Sequence, residues 1–391
     1  MAKIATYEKT HPWIRFELDL RQADYRLWLQ LGEAQAKCEQ IVGVPLLPEV
    51  ADYLHQVFLA KGALATTAIE GNTLSEEEAL KIVQGDSDLP PSKEYLGQEI
   101  ENIVNASNMV ADKVLDGSLT RLTLDWIREL NTQILHGLPP KRDVHPGHIR
   151  VHEVGVGRYR GARPQDCEYL LERLCNWLNG DSFLPDKELD IASGILKAII
   201  AHLYMAWIHP FGDGNGRTAR LMECQFLLSC GIPMAAAHLL SNHYNQTRTE
   251  YYRQLDMASS SGGEVIPFVT YALQGLIDGL DEQIQMIKNQ QFYVHWINHV
   301  HNQFRDKDSP TQIRRRRLVI DLTESTKPIP IAELRHITPR IAEGYAGKTD
   351  RTIRRDVNAL VGMGLLKRDA NGVAIRRELM AAFVSPAVSG G

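Results

Sequence analysis

The sequence predicts a mainly α-helical protein with one short β-hairpin in its middle and a basic module of three helices and a hairpin at its end. Three observations carry that expectation. Apolar residues recur at three- and four-residue spacing over most of the stretch from Trp13 to about Leu280, the period of a helix with one buried face. One segment, Ile149 to Gly161 (IRVHEVGVGRYRG), instead alternates apolar and polar residues around Gly155 and Gly157, the period of a strand. Charge then changes sign: residues 311–391 carry 15 Lys+Arg against 8 Asp+Glu, a net +7, which leaves −12 for residues 1–310.

The helical pattern is clearest in Tyr25–Ile41, Glu49–Ala65 and Leu124–Leu135. Thr73 to Ser75, followed by EEEALKIVQG, reads as an N-cap with acids in the first turn and Gly85 as the stop. Leu189 to Ile208 reads as a helix ended by His209-Pro210, because the residue before proline is pushed out of helical geometry. Its apolar run, Ile191 to Ile208, is short for a membrane span and carries Lys197 and His202, so it is expected to be a buried core helix and no membrane partner is expected. Residues 281–309 read as a long polar-faced helix, with Asp306 to Pro310 as a linker. The chain thus divides into an N-terminal helical region (1–110), a core (111–305) and the basic module (311–391).

A chain of 391 residues with 44% hydrophobic and 23% charged content falls in the range of soluble globular proteins. The first thirty residues lack the basic start, apolar middle and cleavage site of a secretory signal, which predicts a cytoplasmic location. Five scattered cysteines with no CxxC pair predict reduced core thiols rather than a disulfide framework or a zinc site.

The chemistry concentrates in His209 to Arg220, HPFGDGNGRTAR, a glycine loop between two helices. Such a loop leaves N–H groups free at the start of the second helix, where the positive end of the helix dipole also points, and so makes an anion site. Glycines at 212, 214 and 216 admit phosphate oxygens to the backbone, and Arg217 and Arg220, three apart, are expected to hold one phosphate chain from a single helix face. Asp213 adds an oxygen ligand suited to Mg2+. His209 can act as a general base, since an unperturbed imidazole with a pKa of about 6.5 is mostly neutral at pH 7. A Walker loop would need four residues between its glycines and then Lys, whereas Gly212 to Gly216 has three and then Arg217.

HPFGDGNGRTAR resembles the signature of Fic-domain proteins, HPFx(D/E)GNGRxxR, at every specified position. The hairpin segment and LSNHYNQTRTEYYRQL at 240–255 follow in the family's order. The resemblance implies a helical Fic fold with a β-hairpin flap, and transfer of AMP from ATP to a Ser, Thr or Tyr hydroxyl of a target protein or of the chain itself. It implies His209 as the base, Asp213 as the Mg2+ ligand, Gly214, Asn215 and Gly216 as the phosphate cradle, and Phe211 as the loop's core anchor. Arg217 and Arg220 would bind the phosphate tail. Tyr252 matches an adenosine-contacting tyrosine, and the next such position falls on Ser259.

Thr66 to Asn72, TTAIEGN, resembles the family's inhibitory sequence (S/T)xxxE(G/N), which implies that Glu70 pairs with Arg220 and denies it to the γ-phosphate. Relatives with this glutamate can also run the reverse reaction, removal of AMP. The alternation around Ile149, Val151 and Val154 predicts a strand edge on which a target segment pairs through its backbone.

In the basic module, TQIRRRRLVIDLTES, PIAELRHI and KTDRTIRRDVNALVGMGLL read as helices, and LKRDANGVAI as a hairpin with an Asn371-Gly372 turn. The order resembles a winged helix-turn-helix, which implies that Thr349, Arg351, Thr352 and Arg355 face a DNA groove, with Arg314 to Arg317, Lys367 and Arg368 on phosphates. Docking or homodimerisation is the competing use of such a module. Three readings of the whole stay open at this level: an autoinhibited protein adenylyltransferase, a DNA-binding regulator with a nucleotide-sensing Fic domain, and transfer of another phosphate-containing group.

Overall fold

The computed structural model describes residues 7–86, 88–157, 159–180, 183, 190–325 and 327–380. They form two compact units that divide between Ile284 and Gln285.

The first unit is helical. Its elements are α1 (Tyr7–Thr10), α2 (Tyr25–Val42), α3 (Pro48–Ala68), α4 (Glu76–Val83), α5 (Glu94–Leu115), α6 (Leu124–Ile134), β1 (Gly155–Val156), β2 (Tyr159–Arg160), α7 (Pro164–Leu178), α8 (Asp190–Ile208), α9 (Asn215–Ser229), α10 (Met234–Ala237), α11 (Leu239–Gln246), α12 (Arg248–Ser260) and the start of α13 (Ile266–Gln303). The centre is the α8–α9 pair, with α5, α6 and α10 against α9 and α7 and α2 against α8. By length and composition α8 could cross a membrane, but 78% of it is buried inside this core. The α4 cap forms as the sequence predicts: Ser75 Oγ accepts from Glu78 N and the Glu78 carboxylate accepts from Ser75 N. All five cysteines are free, four of them buried.

The hairpin is much shorter than the alternation suggested. Among the described residues only Gly155–Val156 and Tyr159–Arg160 pair as strands, in antiparallel register. Ile149 belongs to no strand; it bridges Phe211 instead, while Val151 is 90% exposed and Val154 half-buried, both outside the strands. Period-two alternation here marks a segment pinned at one end to the glycine loop, not a strand with a continuous free edge.

The second unit holds the rest of α13, then α14 (Pro310–Leu322), α15 (Pro339–Gly344), α16 (Asp350–Gly362) and the hairpin β3 (Leu366–Asp369) with β4 (Gly372–Ile375). The division falls inside α13, not at Asp306–Pro310, because Trp296, Val300 and Phe304 already pack in the second core. PIAELRHI is no α-helix: it carries a 3-10 turn at Leu334–His336, and the second helix starts later, at Pro339 behind the Thr338 cap. Arg314 and Arg315 do not face solvent as phosphate-seeking cations, since both pair with the fully buried Asp356, at 2.7 and 2.8 Å. Arg351, Arg354 and Arg355 are exposed on α16, opposite buried Ile353, Val357 and Leu360.

Candidate active site

The glycine loop begins where α8 ends. His209 has φ 50°, a left-handed conformation that strains a non-glycine residue by about 1–3 kcal/mol. Its neighbours hold it there. His209 N donates to Met205 O at 2.9 Å, and the buried Arg150 donates from Nε to His209 O at 2.7 Å. Arg150 also donates to His152 O at 2.6 Å and to Ala162 O, so one guanidinium clamps both ends of the hairpin segment and the histidine backbone.

Phe211, 1% exposed, anchors the loop in the core as expected. Asn215 turns its side chain onto its own loop. Its Oδ1 accepts from Phe211 N at 2.9 Å and its Nδ2 donates to Phe211 O at 2.8 Å, which closes the loop on itself and leaves its backbone N–H for an anion. Gly214 has φ 76°, and a Cβ there would lie 2.8 Å from Ile134 Cδ1, so both backbone and space require glycine. Buried Asn131 braces this corner, donating to Asp213 O at 3.0 Å and accepting from Gly147 N at 2.9 Å. No side chain caps α9, so the first-turn N–H groups of Asn215, Gly216 and Arg217 stand open.

These groups meet in a cavity of about 630 Å³ whose wall includes His209, Gly214, Gly216, Arg220, Glu70 and Tyr252. Tyr252 is 37% exposed at its rim, with the Arg248 guanidinium 6.0 Å from its ring centroid. Ser259 is not part of this wall; its hydroxyl donates to Asp256 O at 3.0 Å, while Leu255 and Asp256 line the cavity. Beneath lies a buried polar floor. His202 Nε2 is 2.8 Å from Tyr251 Oη, His202 Nδ1 is 3.2 Å from Glu223 Oε2, and Tyr244 Oη donates to Glu223 Oε1 at 2.8 Å.

Electrostatics set the working forms. Burial, reinforced by the positive charge of Arg150, pushes the His209 pKa down to about 4, so its imidazole is neutral at pH 7. Glu70 forms the predicted pair: Arg220 Nη2 donates to Glu70 Oε1 at 2.8 Å, to Thr66 O at 2.9 Å, and Arg220 Nε donates to Thr66 Oγ1 at 2.5 Å. Both ends of the Thr66–Glu70 motif therefore grip the same guanidinium. Burial raises the Glu70 carboxyl pKa, but the charge and hydrogen bond of Arg220, with the charge of Arg217, offset this and hold it below the usual range, so Glu70 is ionised. Asp213 is likewise pushed up by burial and pulled further down by its bond to Lys141 at 2.6 Å, by Arg217 and by Gly214 N–H.

The two arginines line different spaces at rest. Arg220 faces the cavity just described, whereas Arg217 lines a second cavity of about 570 Å³ and pairs with Glu99 and Asp213, each at 3.3 Å. Three-residue spacing put them on one helix face; Glu70 and Asp213, which line both cavities, stand between the spaces they serve. Arg150, Asn131, Glu99 and Lys141 were missed by sequence reasoning, and no local spacing marks them.

Residues 121–227 match the Fic/DOC family. This segment resembles a Fic domain. It contains His209 to Arg220, and Glu70 precedes it in the chain. Among curated relatives, protein adenylyltransferase fic-1 of Caenorhabditis elegans is 32% identical over 209 residues, 53% of this chain and 37% of that protein. Protein adenylyltransferase Fic of Nematostella vectensis is 28% identical over 206 residues, 53% of this chain and 44% of that protein. The chain thus matches under half the length of these relatives. Among solved structures, C. elegans Fic-1 (residues 134–508) aligns with TM-score 0.52 at 25% identity, covering 66% of this chain and 70% of that one. A Fic family protein from Desulfovibrio desulfuricans G20 shares the fold with TM-score 0.53 at 19% identity, covering 87% of this chain and 91% of that one.

Proposed function

We propose that this chain transfers AMP from ATP to a hydroxyl of a protein target and is restrained at rest by Glu70. The observation that carries this reading is one cavity holding a neutral histidine base, the uncapped start of α9 and an arginine occupied by an inhibitory carboxylate. The curated relatives' names point the same way. In the step proposed, a Ser, Thr or Tyr oxygen attacks the α-phosphorus and its proton passes to His209. The bond from the α-phosphorus to the bridging oxygen breaks, and diphosphate leaves with that electron pair. The α9 N–H groups and Arg220 hold the phosphate charge, and Tyr252 offers its ring to the base.

Mg2+ fits the donor set. Among the described residues no three His, Cys, Asp or Glu side chains cluster as a metal cage, and Asp213 offers one carboxylate beside the phosphate loop, the arrangement in which Mg2+ is shared with substrate phosphates. Lys141, now on Asp213, is 68% exposed and free to swing aside. When bound, the metal would neutralise phosphate charge.

The deciding experiment supplies ATP labelled either at the α- or at the γ-phosphate. Label reaching protein only from the α-position supports the reading; label only from the γ-position would make the chain a phosphate transferase. Loss of label from a pre-modified target, with AMP released, would instead mark the reverse reaction.

The hairpin serves, in this reading, to hold the target segment beside His209. Val154→Pro is expected to lower target labelling severalfold while nucleotide affinity holds; equal losses in a titration of both would contradict that role.

The exposed Arg351, Arg354 and Arg355 favour a second activity, binding of duplex DNA by the C-terminal unit. Arg351 and Arg355 have no ion-pair partner among the described residues. In a mobility-shift titration Arg351→Ala with Arg355→Ala should weaken binding about tenfold or more at low salt. Binding that is absent, or indifferent to both changes, leaves this face to another partner.

A further inference from the structure

The two arginines of the loop are held with unequal strength. Arg220 makes three bonds of 2.9 Å or less, to Thr66 and Glu70. Arg217 is as deeply buried, 2% exposed against 4%, yet its two contacts, to Glu99 and Asp213, are each 3.3 Å long. Its Nε is buried with no hydrogen-bond partner. A guanidinium taken from water needs acceptors for its five N–H donors, so Arg217 is the under-satisfied cation of the site, and phosphate oxygens would supply what it lacks.

Two carboxylates hold it at equal distance, Asp213 on the wall common to both cavities and, on the side of the second cavity alone, Glu99. That carboxylate reaches Arg217 with Oε1, and with Oε2 it accepts from Asn72 Nδ2 at 3.1 Å. Asn72 lies two residues after Glu70, is buried, donates to Leu96 O at 2.9 Å and accepts from Leu74 N at 3.1 Å. The turn that carries Glu70 is therefore bolted to α5, and α5 in turn reaches Arg217.

We propose that Glu99 is a positioning residue that decides which cavity Arg217 serves, releasing it to the nucleotide's phosphate tail only when phosphate takes the carboxylate's place. Asn72 orients Glu99 for this task. Both arginines must then trade a carboxylate for phosphate, Glu70 at Arg220 and Glu99 at Arg217, and the weaker contacts at Arg217 make it the first to trade. The proposal rests on the nucleotide-binding part of the reading above, not on transfer.

The test measures the Kd of a non-hydrolysable ATP analogue for the full chain. Glu99→Gln keeps shape and the contact from Asn72 but removes the charge, and should tighten binding about tenfold. The gain should persist in a Glu70→Gly background, where the other restraint is gone. Glu101→Gln, on an exposed acid of the same helix, controls for a general loss of negative charge and should change Kd less than twofold. Thermal midpoints show that each variant is folded. A folded Glu99→Gln protein that binds no more tightly than the parent, or no more tightly than Glu101→Gln, overturns the proposal while Glu70→Gly still binds. Absence of binding by Glu70→Gly itself would overturn the nucleotide reading and this proposal with it.

Discussion

Replacing Glu70 with glycine should raise AMP incorporation about ten- to a hundredfold. The estimate follows from the contact it removes, because a hydrogen bond between charged partners is worth about 1.5–3 kcal/mol and each 1.4 kcal/mol is a factor of ten. Two effects add. Glu70 occupies the guanidinium of Arg220, and it also fills space above the loop, since a Cβ built on Gly216 would lie only 2.5 Å from Glu70 Oε1. Phosphate approaching the open end of α9 meets that carboxylate as a like charge and as an obstacle. Thr66 would keep its two bonds to Arg220, so the arginine should stay in place. Label counting and mass spectrometry of AMP-shifted peptides check the result. Unchanged incorporation, beside an inactive His209→Ala control, would contradict inhibition by Glu70.

His209→Ala should lower transfer by about a hundred- to ten-thousandfold, the range for loss of a general base, with analogue affinity changed less than twofold. The pH profile tests the same residue without removing it. The base works in its neutral form, which predominates above its pKa, so a pKa depressed to about 4 extends activity to lower pH. Measured in the Glu70→Gly background, the rate should be flat from about pH 8 to about pH 5 and fall below that. Removing Glu70 cannot reverse the sign, because its negative charge raises the histidine's pKa and its loss pushes the value lower still. An inflection near 6.5 would mean that burial and Arg150 do not govern His209.

The parts of the site visible in the sequence are those fixed by short-range geometry. His209 before proline and the glycines of the loop were placed by local spacing, whereas the pairing of Glu70 with Arg220 was implied by the resemblance of TTAIEGN to an inhibitory motif. Arg150 could not be found this way. It acts on backbone carbonyls up to 59 residues distant, and in sequence nothing separates it from Arg160 in the same alternating segment. That Arg217 and Arg220 line different cavities at rest was hidden for a related reason. Helix phase says which way a side chain leaves the backbone, but of the two carboxylates between the cavities only Asp213 is local, and Glu70 comes from a distant part of the fold. The main helices were legible from their period, whereas the hairpin was overextended because a segment pinned to Phe211 alternates just as a strand does.

On the proposed function, the restraint is also much smaller than the machinery it restrains. Glu70 sits in a short turn after α3, beside Gly71 at φ 107°, while His209 and Arg220 belong to the buried α8–α9 pair. Such a turn can open when Glu70 leaves Arg220 while Asn72 keeps its end tied to α5, a local fluctuation well short of global unfolding that leaves the central helices intact. If opening takes about 2–3 kcal/mol, on the order of one molecule in a hundred is open at any instant. The resting protein is then a slow, steady leak rather than a closed valve, and its basal rate reads out how often that turn comes undone.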